Sequence, residues 1–362
     1  MTKTSIEWTE RVWNPFAGCS VLSPGCTNCY AMKMARRIEA CNAGLRQGHG
    51  GSPHYAGTTK IVNGNAVWTG KIGIASDEVL LAPLRRKRPT TYFVNSMSDL
   101  FHESVPDEWI DKVFAVMALT PQHTYQVLTK RSARMRAYCA SRSEPKARLA
   151  ITGRMNAMGA GDKYPIGHRM WPLPNVWLGV STERQKEADE RIPDLLATPA
   201  AVRFISAEPL LGPIDFTSIC TGHYFIDALR GVKYHDAPEG VHRATERCTK
   251  LNQIIIGGES GRDARPMHPE WPRWIRNDCA AANVAFFFKQ WGEFAPRMSN
   301  LTEFLHPSDV RLGERVVASN GALNGFPDHG VTEFEVMRRL GKKAAGRLLD
   351  GGDHNAMPEA AR

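Results

Sequence analysis

Six short apolar runs, each ending in polar residues, leave this chain few folds to choose from. The runs are Thr91–Ser96, Thr124–Thr129, Val176–Val180, Val202–Ser206, Ile254–Gly257 and Val284–Phe288. They are dense in Val, Ile, Phe and Tyr with little alternation, the pattern of parallel strands covered on both faces. Helical stretches lie among them: Asp107–Leu119, Ser132–Ala140, Glu183–Leu196 and Pro269–Ala282. Pro106 stands just ahead of the first, where a missing N–H costs nothing. Strand and helix in repeated alternation predict an α/β fold, a full or partial parallel (β/α) barrel.

In such folds the carboxyl ends of the strands carry the site. Here they read Met97-Ser98-Asp99, Lys130-Arg131, Ser181-Thr182-Glu183, Ala207-Glu208-Pro209, Gly258-Glu259-Ser260 and Lys289-Gln290-Trp291, which predicts one polar pocket. Ser181 and Thr182 suit helix N-caps equally well, whereas Glu208 and Glu259 precede no obvious helix.

The barrel is expected over residues 1–292, with loop insertions at about 44–73, 141–174 and 217–250. Residues 293–362 read as a C-terminal extension closing in a helix at Glu333–Leu349. The first insertion is rich in Gly, Asn and Thr; the third holds His223, Tyr224, His235 and His242. The second carries Arg142, Lys146, Arg148, Arg154, Lys163 and Arg169 among Tyr164 and Trp171. Basic residues interleaved with aromatics suit a phosphate backbone and stacked bases. A solvated surface excursion explains them equally well. The net charge of +9, from 46 basic and 37 acidic residues, favours an anionic partner, DNA or RNA first. The start, MTKTSIEWTE, lacks the apolar run of a signal peptide, and no stretch has the length of a membrane span. A cytoplasmic location is expected.

Three of the eight cysteines, Cys19, Cys26 and Cys29, crowd the run GCSVLSPGCTNCYA. Gly18, Pro24 and Gly25 make it a loop able to fold its thiolates around one centre. Three thiolates with no fourth cysteine or histidine close by suggest a cluster with one iron left open, since structural zinc normally takes four protein ligands. Cys41, Cys139, Cys220, Cys248 and Cys279 are scattered and read mostly as small buried hydrophobes. Cys41 is the nearest in sequence to serve as a fourth ligand.

The loop and the alternating pattern together resemble the radical S-adenosylmethionine enzymes. The resemblance implies a [4Fe–4S] cluster on Cys19, Cys26 and Cys29, with S-adenosylmethionine chelated by the open iron and cleaved by the reduced cluster. It also implies a cluster loop after the first strand, here Arg11–Phe16, with Tyr30–Ala40 as the helix behind it. Most members space their cysteines by three and two residues; this chain has six and two. A GGE sequence normally follows the second strand, where this chain has Asn95-Ser96-Met97-Ser98-Asp99; its Gly257-Gly258-Glu259 lies far downstream.

A closer resemblance, over nearly the full length, is to a phage and bacterial family of radical-SAM-like proteins of the domain-of-unknown-function type. It rests on IEWT, WNP, GCTNCYA, WTGK, NSMSDLFHE, LTKR, LGVS, SAEPLLGP, IIGGESG with RPM, FFFKQWG and KKAAGRLLDG. What this implies is a radical S-adenosylmethionine enzyme modifying or repairing nucleic acid or a nucleotide, served by a reductant such as flavodoxin or ferredoxin.

Ser98, Asp99, Ser181 and Glu259 are then the expected cofactor-binding residues, and His102, Lys130, Glu208 and Lys289 the expected catalytic ones, by position. His102 reads equally well as a capping or packing group near the next helix, and Arg131 as a surface charge. The alternative function is a zinc-stabilised nucleic-acid-binding protein with Cys41, His49 or His54 as fourth ligand. A hydrolase ranks last, because GGESG has serine fourth where a nucleophile elbow needs it third.

Overall fold

The structure, a computed structural model, describes residues 4–43, 51–159, 171–235, 243–297, 310–323 and 334–359. Seven strands form its main sheet: β1 Arg11–Trp13, β2 Thr91–Val94, β3 Thr124–Thr129, β4 Val176–Ser181, β5 Val202–Ala207, β6 Gln253–Gly257 and β7 Ala285–Gln290. They follow one another in chain order as a parallel sheet with β1 and β7 at its edges, a curled half-barrel and not a closed ring. The longer helices are α1 Tyr30–Ala43, α2 Asp107–Ala118, α3 Ser132–Ser141, α4 Pro145–Ala157, α5 Gln185–Ala197 and α6 Glu270–Ala282. The first strand is shorter than expected: Phe16–Ala17 leaves it to pair antiparallel with Gly73–Ile74. No helix among the described residues is long and apolar enough to cross a membrane.

The chain divides into two compact units, Met1–Val180 with Ala197–Arg203 and Ala360–Arg362, and Ser181–Leu196 with Phe204–Glu359. In the first, β1, β2 and β3 pair in register through Trp13↔Val94 and Tyr92↔Tyr125. Trp13, Tyr92 and Tyr125 are fully buried, and the two tyrosine rings stack at 5.5 Å. Burying such a side chain stabilises the fold by roughly 2–3 kcal/mol. α2 opens on Asp107 and Glu108, whose charges suit a helix N-terminus, and sets Phe114 5.4 Å from Tyr138 of α3.

Two insertions here are more ordered than the sequence suggests. The first holds a hairpin, Thr59–Val62 with Asn65–Trp68, turned by Asn63-Gly64 with φ of 49° and 75°. Asn-Gly is the strongest short hairpin signal, because both residues tolerate positive φ. The second contains α4, which packs against α2. Arg148 of α4 is buried and Arg154 faces Glu108 at 3.7 Å; Lys163, Tyr164 and Arg169 lie outside the described residues.

In the second unit β6, every residue of which is buried, lies between β5 and β7. α6 buries Trp271, Ile275 and Cys279 and stops at Asn283, whose left-handed φ of 52° ends the hydrogen-bond ladder. The third insertion folds into a four-stranded antiparallel meander of Ile219–Cys220, Phe225–Asp227, Val232–His235 and Arg243–Arg247. The helix expected at Glu333–Leu349 is absent from its described part. Phe334–Arg339 is instead the central strand of a three-stranded sheet with Phe294–Pro296 and Glu314–Ala318, and only Lys342–Ala345 is helical. Gly341 and Gly346, at φ of 83° and 73°, confine that turn.

Candidate metal centre

Backbone contacts fix the cysteine loop at both ends. Gly18 N–H donates to the Met97 carbonyl at 3.1 Å, and Gly70 N–H to the Cys19 carbonyl at 3.1 Å. Gly18 has φ of 98°, and a Cβ there would stand 2.0 Å from the Lys71 carbonyl oxygen, so only glycine fits. Pro24–Cys26 forms a 3-10 turn, with Cys26 N–H donating to Ser23 O at 2.8 Å and Cys29 N–H to Cys26 O at 3.2 Å. Cys29 immediately precedes α1, and the Ala31 and Met32 amides donate toward its sulfur. The inner face of α1, Ala31, Met32 and Ala35, packs on Tyr55 and Trp68 from the first insertion, with Cys19 and Cys29 against the same cluster. That insertion is therefore the seat of the loop.

Behind the loop stands Arg131, at the end of β3 and 5% exposed at its side chain. A surface charge is one of its two readings from sequence; the fold buries it. Its Nη1 donates to Asp99 Oδ2 at 3.0 Å and reaches Cys19 Sγ at 3.7 Å, Nη2 donates to Ser20 Oγ at 2.7 Å, and Nε to Glu103 at 2.9–3.0 Å. Asp99 is saturated. It accepts from Phe101 N at 3.0 Å, Thr129 Oγ1 at 2.7 Å and Lys130 N at 3.2 Å as well as from Arg131. Ser98 donates to the Phe16 carbonyl at 3.1 Å. Both expected cofactor contacts thus have partners within the chain.

His102 is buried, and its Nδ1 accepts from Ser104 N–H at 3.1 Å, so Nε2 carries the proton toward Ser20 Oγ at 2.8 Å. Burial and the Arg131 charge hold its pKa below the ordinary value, leaving a neutral imidazole. Both ring nitrogens of His102 thus have partners within the chain. Lys130 is half-buried, and its charge acts on Cys29.

Burial, and after it Asp99, push the Cys19 thiol up to about 12 against the pull of Arg131. Burial also raises Cys29, opposed by the Ala31 and Met32 amides and Lys130. A metal here would displace thiol protons on binding. Among the described residues no three His, Cys, Asp or Glu side chains form a ready-made metal site. The donor set nonetheless suits iron and sulfide: three sulfurs on one loop, the field of Cys26 acting on both others, with cations beside the first and last. A fourth ligand from α1 does not fit. Cys41 lies twelve residues beyond Cys29 along that helix, about 18 Å at 1.5 Å per residue, and is exposed. Cys220 is also exposed and Cys248 half-buried, so of the scattered cysteines only Cys139 and Cys279 are buried hydrophobes.

The remaining expected residues, Ser181, Glu208, Glu259 and Lys289, belong to the second unit. Lys289 Nζ pairs with Glu208 Oε1 at 3.0 Å, and Ser206 Oγ donates to Glu208 Oε2 at 3.2 Å. Gly257 makes room for that carboxylate, which a Cβ would meet at 2.5 Å. Glu259 is engaged elsewhere. Arg265 donates to it from Nε at 2.8 Å, Nη2 at 2.6 Å and its backbone N–H at 2.8 Å. The Ser181 carbonyl accepts from Arg191, which also pairs with buried Glu183 at 3.1 Å.

Residues 3–358 match a protein family described as "Protein of unknown function (DUF5131)". No curated protein and no solved structure matches the chain.

Proposed function

The chain belongs to the DUF5131 family, and from the chemistry of its own cysteine loop we propose that it is a radical S-adenosylmethionine enzyme acting on nucleic acid or a nucleotide. The observation that carries this reading is the thiol trio at the carboxyl side of β1, with Arg131 against Cys19 and the Lys130 charge acting on Cys29. Cys19, Cys26 and Cys29 would hold three irons of a [4Fe–4S] cluster. With S-adenosylmethionine on the open iron, that group supplies one-electron cleavage of a sulfonium and, through it, hydrogen abstraction from an unactivated position. The protein's own residues do the rest. Asp99 anchors Arg131, neutral His102 orients Ser20, and the inner face of α1 keeps water from the back of the loop. In the second unit Glu208 and Lys289 form an ion pair at 3.0 Å. The net charge of +9 supports a polyanionic substrate.

Anaerobically reconstituted protein should be brown, carry about four irons and four sulfides, and show an EPR signal on reduction. S-adenosylmethionine should perturb that signal and release 5′-deoxyadenosine, and Cys26→Ala should abolish both. Stoichiometric zinc without iron would overturn the reading. Binding to DNA or RNA should weaken steeply with salt; no affinity at low salt would redirect the substrate to a small molecule.

A further inference from the structure

We infer that Arg131 is the positioning residue of the cysteine loop, holding Cys19 and Ser20 in place and offsetting the charge of Asp99 beside the first thiol. A guanidinium carries five N–H donors in a rigid planar fork. Here that fork spans two carboxylates, a hydroxyl and a thiol drawn from three separate stretches of chain: Cys19-Ser20, Asp99 and Glu103. Asp99 binds the guanidinium from β2's end while also taking the Thr129 hydroxyl and the Lys130 amide, so both partners of the ion pair are fixed at the same strand end. Ser20 Oγ receives Arg131 Nη2 at 2.7 Å and faces the protonated Nε2 of His102 at 2.8 Å, which fills both its lone pairs. The loop is thereby pinned from two directions, one position past Cys19.

The charge matters as much as the geometry. Arg131 Nη1 stands 3.7 Å from Cys19 Sγ and 3.0 Å from Asp99 Oδ2, so the guanidinium charge lies against both the thiol and the carboxylate. Hydrogen bonds and net charge around ligand sulfurs set the potential of an iron–sulfur centre. Without the guanidinium, Asp99 at 7% exposure becomes an uncompensated negative charge next to the loop. A more negative surrounding disfavours adding an electron. This part of the inference rests on the proposed cluster; the positioning part does not.

Arg131→Gln removes fork and charge, Arg131→Lys keeps the charge alone, and Ser20→Ala removes one anchor while leaving the Arg131–Asp99 pair. In the metal-free protein, hydrogen exchange at the Gly18, Cys26, Thr27 and Cys29 amides should accelerate by about tenfold in Arg131→Gln and less in Ser20→Ala. The Asn95 amide, bonded to Trp13 O, should not change. In reconstituted protein, the EPR-monitored potential of Arg131→Gln should fall by the equivalent of a tenfold loss in the reduction equilibrium, about 59 mV for one electron, and Arg131→Lys should recover most of it. Unchanged loop exchange overturns the positioning role, and an unchanged potential at full iron content overturns the charge role. If wild-type protein takes up no iron, the proposed function fails, while the exchange measurement still decides whether Arg131 positions the loop.

Discussion

Arg131 meets two carboxylates of very different burial, and replacing each in turn measures what burial is worth. Asp99 is 7% exposed at its side chain and Glu103 64%. Asp99→Asn keeps the shape but turns one acceptor oxygen into an NH2 group. If that group replaces Oδ2, it faces the Lys130 amide and Arg131 Nη1, losing hydrogen bonds of 3.2 and 3.0 Å. If it replaces Oδ1, it faces Phe101 N–H and Thr129 Oγ1 instead, and the guanidinium still loses its charge partner. A neutral hydrogen bond contributes about 1 kcal/mol and a charge-assisted one about 1.5–3 kcal/mol, so the loss is about 2.5–4 kcal/mol, overlapping the range for breaking a buried ion pair. Glu103→Gln should cost no more than about 1 kcal/mol, because water already screens that pair. A urea series read by hydrogen exchange of first-unit peptides gives both values without interference from the second unit. The reasoning is refuted if Asp99→Asn costs under about 1 kcal/mol, or if the two substitutions cost the same.

Gly18→Ala forces a Cβ to within 2.0 Å of the Lys71 carbonyl at a φ of 98°, and should destabilise the first unit by at least about 2 kcal/mol and lower iron uptake; normal melting with full iron would contradict this. Trp68→Ala empties the seat of α1 and should cost about 3–5 kcal/mol, together with faster exchange across Tyr30–Ala35, measurable by the same peptide method. His268 in the second unit is buried, accepts the Glu270 amide at Nδ1, and is pushed by burial down to about 4 from an ordinary 6.5. The unfolded chain therefore takes the proton first. The contribution is full above pH 6.5 and is lost as pH falls toward 4, up to about 3 kcal/mol. His268→Asn, which retains an acceptor for Glu270 N–H, should flatten that dependence in urea titrations between pH 7 and 4.5.

The parallel strands were readable because their signal is local. A run such as QIIIG, apolar on both faces, pairs wherever parallel neighbours exist, and the observed β6 takes up that run. The helices Asp107–Ala118 and Glu270–Ala282 likewise carry their own limits, acidic first turns and, for the second, a left-handed asparagine stop. The hairpin was equally legible from Asn63-Gly64, and composition alone hid it. The C-terminal helix failed for a related reason: Phe334–Arg339 is short and ambiguous in period, and its strand partners lie over 15 residues away.

The roles of the charged residues had no local signal at all. Nothing around Arg131 in sequence distinguishes it from a solvated arginine; its partners Cys19, Ser20, Asp99 and Glu103 come from 28 to 112 residues away. Glu259 and Glu208 look alike at strand ends, yet one is taken by Arg265 and the other by Lys289. Spacing of three cysteines marks the ligands proposed for a metal, because thiolate chemistry belongs to the residue itself. Which cation offsets a buried carboxylate, and which histidine meets a serine hydroxyl, follow from long-range packing. Coulomb energies and hydrogen bonds depend on distance and burial, and only the folded chain sets those.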